Sequence, residues 1–484
     1  MRLNNYITES VDQDIKKRWG QYTKTDNMIK NGVDILKKIN SKGYDAYIVG
    51  GAVRDLIIGD KPHDIDISTN MPIKEIDKMF KTYDIGQSKD FGIVVVSQGG
   101  EQYEIAQFRS ESDYTDGRHP DKVEIVSDFE TDAGRRDLTI NAMAVDKDGN
   151  IIDHFNGKKA IFDKVIQTVG NPNERFKEDK LRMMRACRFS SKLCFDIHPD
   201  TKDAIKSNKE GIKDISVERV KDELVKMASQ SGTKFAQGII TLDEVGILDI
   251  ILPEITRLKG FKETVKFHPE AYEGSGTGSP FDHTMQALRR NKVADPIINL
   301  SILFHDVGKG VTHRLRSDGV RHSYFGHAEK AKDIIDDIAK RLKLSNKEKD
   351  SIIFAALNHM KLFRGTEMKP SKIIKLVKDE NWEVLKAVSY CDDSCRTGMF
   401  DKKVFNDTID NMEQISKKWG DKVTSQVVKV VDGKHVMKLT GMRQGKELGD
   451  IIKKVTELVL DNGIKNQKDI DKLIMKVYDE QFSK

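Results

Sequence analysis

The stretch YIVGGAVRDLIIGDKPHDIDIST, residues 47–69, joins a glycine turn to two acids one residue apart. In an extended strand, alternate side chains face the same way, so Asp64 and Asp66 project together. Two hard carboxylates at that spacing suit Mg²⁺, which keeps water and shares its shell with substrate phosphates. Gly50 and Gly51 let the backbone approach a triphosphate, and the residues after them can open a helix with free N–H groups. An isolated pair of alternating acids reads as a solvated strand end. The whole string reads as a phosphate-transfer site.

The flanking sequence extends this pattern. Strand-like runs at 46–49, 93–97, 103–108 and 123–126 follow a helical period over 28–42, carried by Met28, Ile29, Val33, Leu36 and Ile39. In QYEIAQFR (102–109), Glu104 is either a third metal-reaching carboxylate or an exposed acid. GRRDLTINAMAVD (134–146) crowds Arg135, Arg136 and Asp137 before an apolar run. Such a cluster binds triphosphate through Arg and a ribose hydroxyl through Asp, or closes on itself as a salt-bridged loop.

RFKEDKLRMMRACRF (175–189) has helical spacing, with Asp179 and Arg182 on one face, Arg185 continuing the stripe and Arg188 nearby. Leu181, Met184 and Phe189 carry the apolar side. Alone, this is an amphipathic helix with ion pairs. As a base reader, the carboxylate accepts from an exocyclic amine and the guanidinium donates to a ring nitrogen. Cytosine and adenine both offer that pattern. Uracil and guanine invert it, a mismatch that costs about 10⁴-fold in a site built for hydrogen bonds.

A second constellation lies further on, in FDHTMQAL (281–288), LSILFHDVGKG (300–310), YFGHAEKA (324–331), ALNHMK (356–361) and SYCDDSC (389–395). It spaces His283, the His305–Asp306 pair, His327, His359 and one of Asp392 or Asp393 through a helical region. Histidine with carboxylate suits Mn²⁺, Fe²⁺, Ni²⁺ or Zn²⁺, any of which can activate water against phosphorus. His313 and His322 fall in an expected loop, as phosphate binders or solvated side chains.

The 484 residues carry 82 basic and 77 acidic side chains, a net +5 that permits a basic face. The four cysteines form no metal or disulfide ladder, which suits reduced thiols in a cytoplasmic protein. The polar MRLNNYITESVDQD carries no signal-like core, and no apolar run approaches the roughly 20 residues of a membrane helix.

The segments GGAVRDLIIGDKPHDIDI, FRSESDYTDGRHPDKVEIV, RRDLTINAMA, RFKEDKLRMMRACRF and ISVERVKDEL (215–224) together resemble the class II tRNA nucleotidyltransferases, the CCA-adding enzymes and their sister poly(A) polymerases. The resemblance implies an α+β, polymerase-β-like head with a mixed sheet and helices, then a mostly helical neck and tail. It implies in-line attack by an RNA 3′-hydroxyl on the α-phosphate of CTP or ATP, with Asp64, Asp66 and tentatively Glu104 on Mg²⁺. The expected nucleotide-binding set is Gly50, Gly51, Arg54, Arg135, Arg136, Asp137, Asn141, Glu178, Asp179, Arg182, Arg185 and Arg188. Within it, Glu178 orients its neighbours while Asp179 and Arg182 read the base.

The 281–395 region resembles the HD metal-dependent phosphohydrolases. That resemblance implies metal ligands at His283, His305, Asp306 and Asp392, with His327 and His359 added in dinuclear members, and His305 and Asp306 central to catalysis. The expected divisions are 1–27, a polar extension, partly disordered; 28–170, the head; 171–265, the neck; 266–400, the HD domain; and 401–484, an RNA-binding tail. HPEAYEGSGTGSP (268–280) reads as a linker or mobile loop. In the tail, LTGMRQGKELG (439–449) opens a helix near Lys446, for RNA phosphate or for the tail's own core. The leading expectation is CCA addition to a tRNA 3′ end with end-repairing hydrolysis. Poly(A) addition is one alternative, and an HD nucleotide hydrolase with a non-catalytic RNA-binding head is another.

Overall fold

The computed structural model describes residues 2–83, 92–112, 122–266, 268–273, 276–318, 321–396, 398–420, 431–464 and 466–482. Two compact units emerge, one of residues 1–230 with 237–253, the other of 231–236 with 254–484. The central part of the FRSESDYTDGRHPDKVEIV segment, 113–121, lies outside the described residues.

The first unit is built on a mixed sheet. Its strands are β1 (Ala46–Val49), β2 (Asp66–Thr69), β3 (Thr82–Tyr83), β4 (Ile93–Gln98) and β5 (Glu101–Gln107). A separate hairpin, β6 (Arg109–Ser112) with β7 (Lys122–Ile125), precedes β8 (Ala144–Val145) and β9 (Ile151–Ile152). The sheet order is β3-β4-β5-β2-β1-β8-β9, with β2 and β5 parallel. Apolar alternation explains the central strands: Ile48, Ile67 and Ile105 are all buried.

The helix Asn27–Asn40 starts where Asp26 accepts from the Ile29 N–H at 2.9 Å, a side-chain N-cap. Its buried stripe includes Ile29, Val33, Leu36 and Ile39. Gly32 lets it settle on the sheet, since a Cβ there would meet Ile65 at 3.2 Å and Tyr103 at 3.5 Å.

The polar extension expected at 1–27 is instead a helix, Arg2–Thr25. Ile15 and Trp19 are buried on it, and Arg18 donates to the Leu56 carbonyl at 2.9 Å. With so few apolar residues, the segment's sequence concealed this anchoring through Ile15, Trp19 and Arg18. The remainder of this unit is largely helical.

The second unit is mainly helical, including Pro280–Arg290, Pro296–Phe304, His327–Arg341, Asn346–Asn358 and Trp382–Ser394. Within the segment read as a linker, Pro269–Tyr272 forms a turn of 3₁₀ helix with Glu270 and Ala271 buried. Composition marked it as a loop, but Glu270 has a buried partner described below. In the tail, Lys446–Asn462 starts at the expected residue. Its Leu448, Ile451, Val455 and Val459 pack with Ile470, Ile474 and Val477 in a small core. Among the described residues, no helix is long and apolar enough to cross a membrane.

Candidate functional sites

The first site is a cleft of about 600 Å³ in the first unit. β1 ends at Val49, opposite Asp66, and the chain turns through Gly50 at φ 71°, ψ −129° into the helix Gly51–Ile58. A non-glycine residue at that backbone conformation is strained. β2 places Asp66 in register with Glu104 on β5. Asp66 is open to solvent at the cleft wall yet surrounded by protein. Desolvation, then the charges of Asp64 and Glu104, push its carboxyl up to about 6. Crowded carboxylates of this kind fit a divalent cation.

Arg54, Arg135, Arg136, Arg182, Arg185 and Arg188 line the cleft with Gly50, Gly51, Asp137, Asn141 and Asp179, as expected. Asp64 and Glu178 do not line it. Asp64 acts on Asp66 through its charge, and Glu178 holds Arg182 from behind at 2.6 Å. Arg54 donates to Asn141 at 2.7 Å. Burial, the largest single effect, opposes the charge on Asp137, but Arg185, donating at 2.7 Å, together with Arg182 and Asn141 lowers the carboxyl's pKa overall.

The helix expected across 175–189 is broken. Pro172–Glu178 ends, Asp179 takes an extended conformation, and Leu181–Leu193 begins. Asp179 therefore does not pair with Arg182 along one helical face. Its carboxylate takes the Leu181 N–H at 3.0 Å and Arg219 at 2.8 Å, while Arg182 donates to Glu178 and the Arg135 carbonyl.

Sequence reasoning missed Asp132 and Arg219. Asp132 is fully buried and receives Arg135 at 2.9 Å and Arg136 at 3.2 Å, fixing both guanidiniums at the cleft. Asp132→Ala should lower the unfolding free energy by about 3 kcal/mol, since it leaves both cations without their shared acceptor. Asp132→Asn should lose less. Denaturant titration of the two variants checks this.

The second site gathers all six expected ligands in the second unit. Asp306 carries Oδ2 3.2 Å from His305 Nε2 and 3.6 Å from His283 Nε2, and Oδ1 3.2 Å from His327 Nε2 and 3.7 Å from His359 Nε2. Asp392 rather than Asp393 faces this group, 3.1 Å from His283 Nε2. Gly308 permits the close packing, because a Cβ there would sit 2.0 Å from the His327 carbonyl oxygen.

Each imidazole is oriented through Nδ1. His305 is 2.7 Å from the Ile302 carbonyl, His327 2.9 Å from that of Tyr324, and His359 2.8 Å from that of Ala356. His283 Nδ1 meets Glu270 at 2.7 Å. Nδ1–H bonds of this kind leave Nε2 as a bare lone pair, the tautomer that metal sites use. The Nε2 atoms of His283, His305 and His327, with Asp306 Oδ1 and Asp392 Oδ2, are buried without hydrogen-bond partners. These residues fall in overlapping groups whose ligand atoms lie within 4.8 Å of one another, so the donor set fits one or two transition-metal ions. Burial, the largest cause, pushes His359 down to about 4, which keeps it neutral. Lys309 meets Asp306 and Glu263 at 2.7 Å each. Of His313 and His322, both expected in a loop, the first precedes a short two-stranded ladder and the second lies in it, paired with Leu315; their rings are 2.8 Å apart.

Residues 46–167 match the poly A polymerase head domain, and residues 194–259 match a probable RNA and SrmB-binding site of polymerase A. These two segments are thus similar to parts of the poly(A) polymerase family. The chain is 46% identical over 237 residues to the CCA-adding enzyme of Lactobacillus johnsonii, across 49% of this chain and 58% of that one. It is 39% identical over 273 residues to that of Bacillus subtilis, across 56% and 64%. The chain thus spans less than two thirds of the length of these relatives. The Bacillus stearothermophilus CCA-adding enzyme in complex with CTP superposes with a TM-score of 0.66 at 26% identity, covering 94% of this chain and 99% of that one. The mixed-sheet head is accordingly polymerase-β-like.

Proposed function

We propose that this chain adds C, C and A to the 3′ end of tRNA from CTP and ATP, and that its second site is a metal-dependent phosphohydrolase that clears phosphates from RNA ends. The observation that carries the first part is the cleft itself, which sets Asp66 and Glu104 against a wall of arginines with Asp179 and Arg182 beside them. The names of the similar proteins, and CTP in one of them, support the choice of reaction.

Asp64 and Asp66, with Glu104 in register, would hold Mg²⁺. Two such ions stabilise the attacking and leaving oxygens of an in-line transfer. Arg54, Arg135 and Arg136 hold the triphosphate, the latter two anchored by Asp132. Asp137, fixed by Arg185, accepts a ribose hydroxyl. Asp179 accepts the exocyclic amine of cytosine or adenine, and Arg182 donates to the neighbouring ring nitrogen. The RNA 3′-oxygen bonds to the α-phosphorus, and pyrophosphate leaves.

Arg182→Ala should therefore reduce the preference for CTP and ATP over UTP and GTP by about 10²-fold or more, within the range that lost hydrogen-bond readout produces. Values of kcat/KM for the four nucleotides on a CCA-less tRNA test this. An unchanged preference would place base reading elsewhere.

In the second site, His283, His305, Asp306 and Asp392 would hold one Mn²⁺, Ni²⁺, Fe²⁺ or Zn²⁺ ion, and His327 with His359 extend the set toward a second. The ion supplies an activated water. Two hydrolyses convert a 2′,3′-cyclic phosphate to a monoester and then to free hydroxyls and inorganic phosphate. A phosphate-blocked end has no 3′-hydroxyl to attack a nucleotide, so this activity would prepare the end for the head.

A further inference from the structure

The second site opens into a cavity of about 960 Å³, the upper end of the range typical of small-molecule sites. A lone phosphate needs far less. Asp306, His327 and His359 reach its inner surface. His313, His322, Arg314 and Lys330 form a polar, cationic wall, interrupted by Glu329. Three apolar side chains line the same cavity while facing water: Phe325 is 95% exposed, Val311 50% and Met360 46%. Scattered exposed apolar residues need no explanation, but a group around one opening marks a binding surface. By exposure, the cavity runs from the buried Asp306, His327 and His359 through the half-buried His313 and His322 to a lip that carries Phe325, Val311 and Met360 beside Arg314 and Lys330. A 3′-terminal nucleotide presents phosphate, sugar and base in the same order.

We propose that this lip is a nucleobase subsite, with Phe325 as the platform on which the terminal base of a phosphate-ended RNA stacks. Val311 and Met360 complete the apolar contact. The His313–His322 pair and Arg314 meet the sugar and phosphate oxygens. Stacking on one ring is tolerant of base identity, which suits an activity that must accept any broken end. The inference rests on the phosphohydrolase reading of this site.

The test compares cytidine 2′,3′-cyclic phosphate with ribose 2′,3′-cyclic phosphate lacking the base, using the full chain with Mn²⁺ or Ni²⁺. Wild type should show a kcat/KM about tenfold to a hundredfold higher for the cytidine compound, the range that base–aromatic stacking contributes. Phe325→Ala should erase that difference, mainly through KM, and leave the baseless substrate unchanged. Phe325→Trp should restore it. Phe325 is almost wholly exposed, so its loss leaves the packed core intact. Equal rates for the two substrates, or no effect of Phe325→Ala, would overturn the subsite while leaving the hydrolase in place. Hydrolysis of neither compound by wild type would overturn the hydrolase reading and the subsite with it.

Discussion

Asp66→Asn is expected to lower nucleotide addition by at least about 10³-fold, the loss of several kcal/mol of metal-borne charge stabilisation. The substitution preserves shape and removes only the charge. Asp66 opens β2, and its side chain stands in register with Glu104. The carboxyl is pushed up to about 6 by its surroundings and acid neighbours, so the site without a cation is electrostatically frustrated. The neutral amide relieves that frustration, and the variant should be at least as stable as wild type. Hydrolysis of cyclic phosphates should be unaffected, because its proposed residues belong to the other unit. Parallel assays of primer extension, cyclic-phosphate hydrolysis and thermal melting separate these outcomes. Extension that survives at more than a tenth of the wild-type rate would remove Asp66 from the chemistry.

The second large effect is expected at His305. Its Nδ1 is committed to the Ile302 carbonyl, and its Nε2 is buried without a hydrogen-bond partner beside Asp306. His305→Ala should abolish tight binding of the transition metal and lower hydrolysis by about 10³-fold. Extension of a tRNA with a free 3′-hydroxyl should persist, whereas extension of one ending in a cyclic phosphate should stop. His305→Gln, which retains a polar group of similar reach, keeps the test informative if the alanine variant folds poorly. Metal content measured on the purified variants gives a readout independent of turnover. Full hydrolysis by either variant would move the catalytic metal away from this cluster.

Much of this arrangement was legible locally. β1 coincides with the run at 46–49, because the continuous apolar stretch Ala46–Val49, ended by the glycine turn, specifies a mostly buried strand. The HDVGK string pointed to two members of the buried histidine–aspartate cluster, and its glycine is explained by the approach of the His327 backbone. The less legible parts depend on distant partners. Asp132 lies in FETDAG, which has no distinguishing pattern; only the fold brings Arg135 and Arg136 onto it. Helical spacing placed Asp179 and Arg182 on one face. Arg219, 40 residues away, instead holds Asp179 in the break between two helices. Glu270 sits in a stretch whose glycines and serines suggest a loop, and its role is visible only once His283 packs against it.

The most direct test of the central claim is the product made by the purified chain on a tRNA lacking its 3′ CCA, with Mg²⁺ and each nucleotide supplied singly and together, resolved one nucleotide at a time. The account expects growth by C, C and A that stops there, with ATP incorporated only after CTP. A long tail made from ATP alone would contradict it in favour of poly(A) synthesis. No extension of a clean 3′-hydroxyl would leave the second site as the seat of the chain's activity.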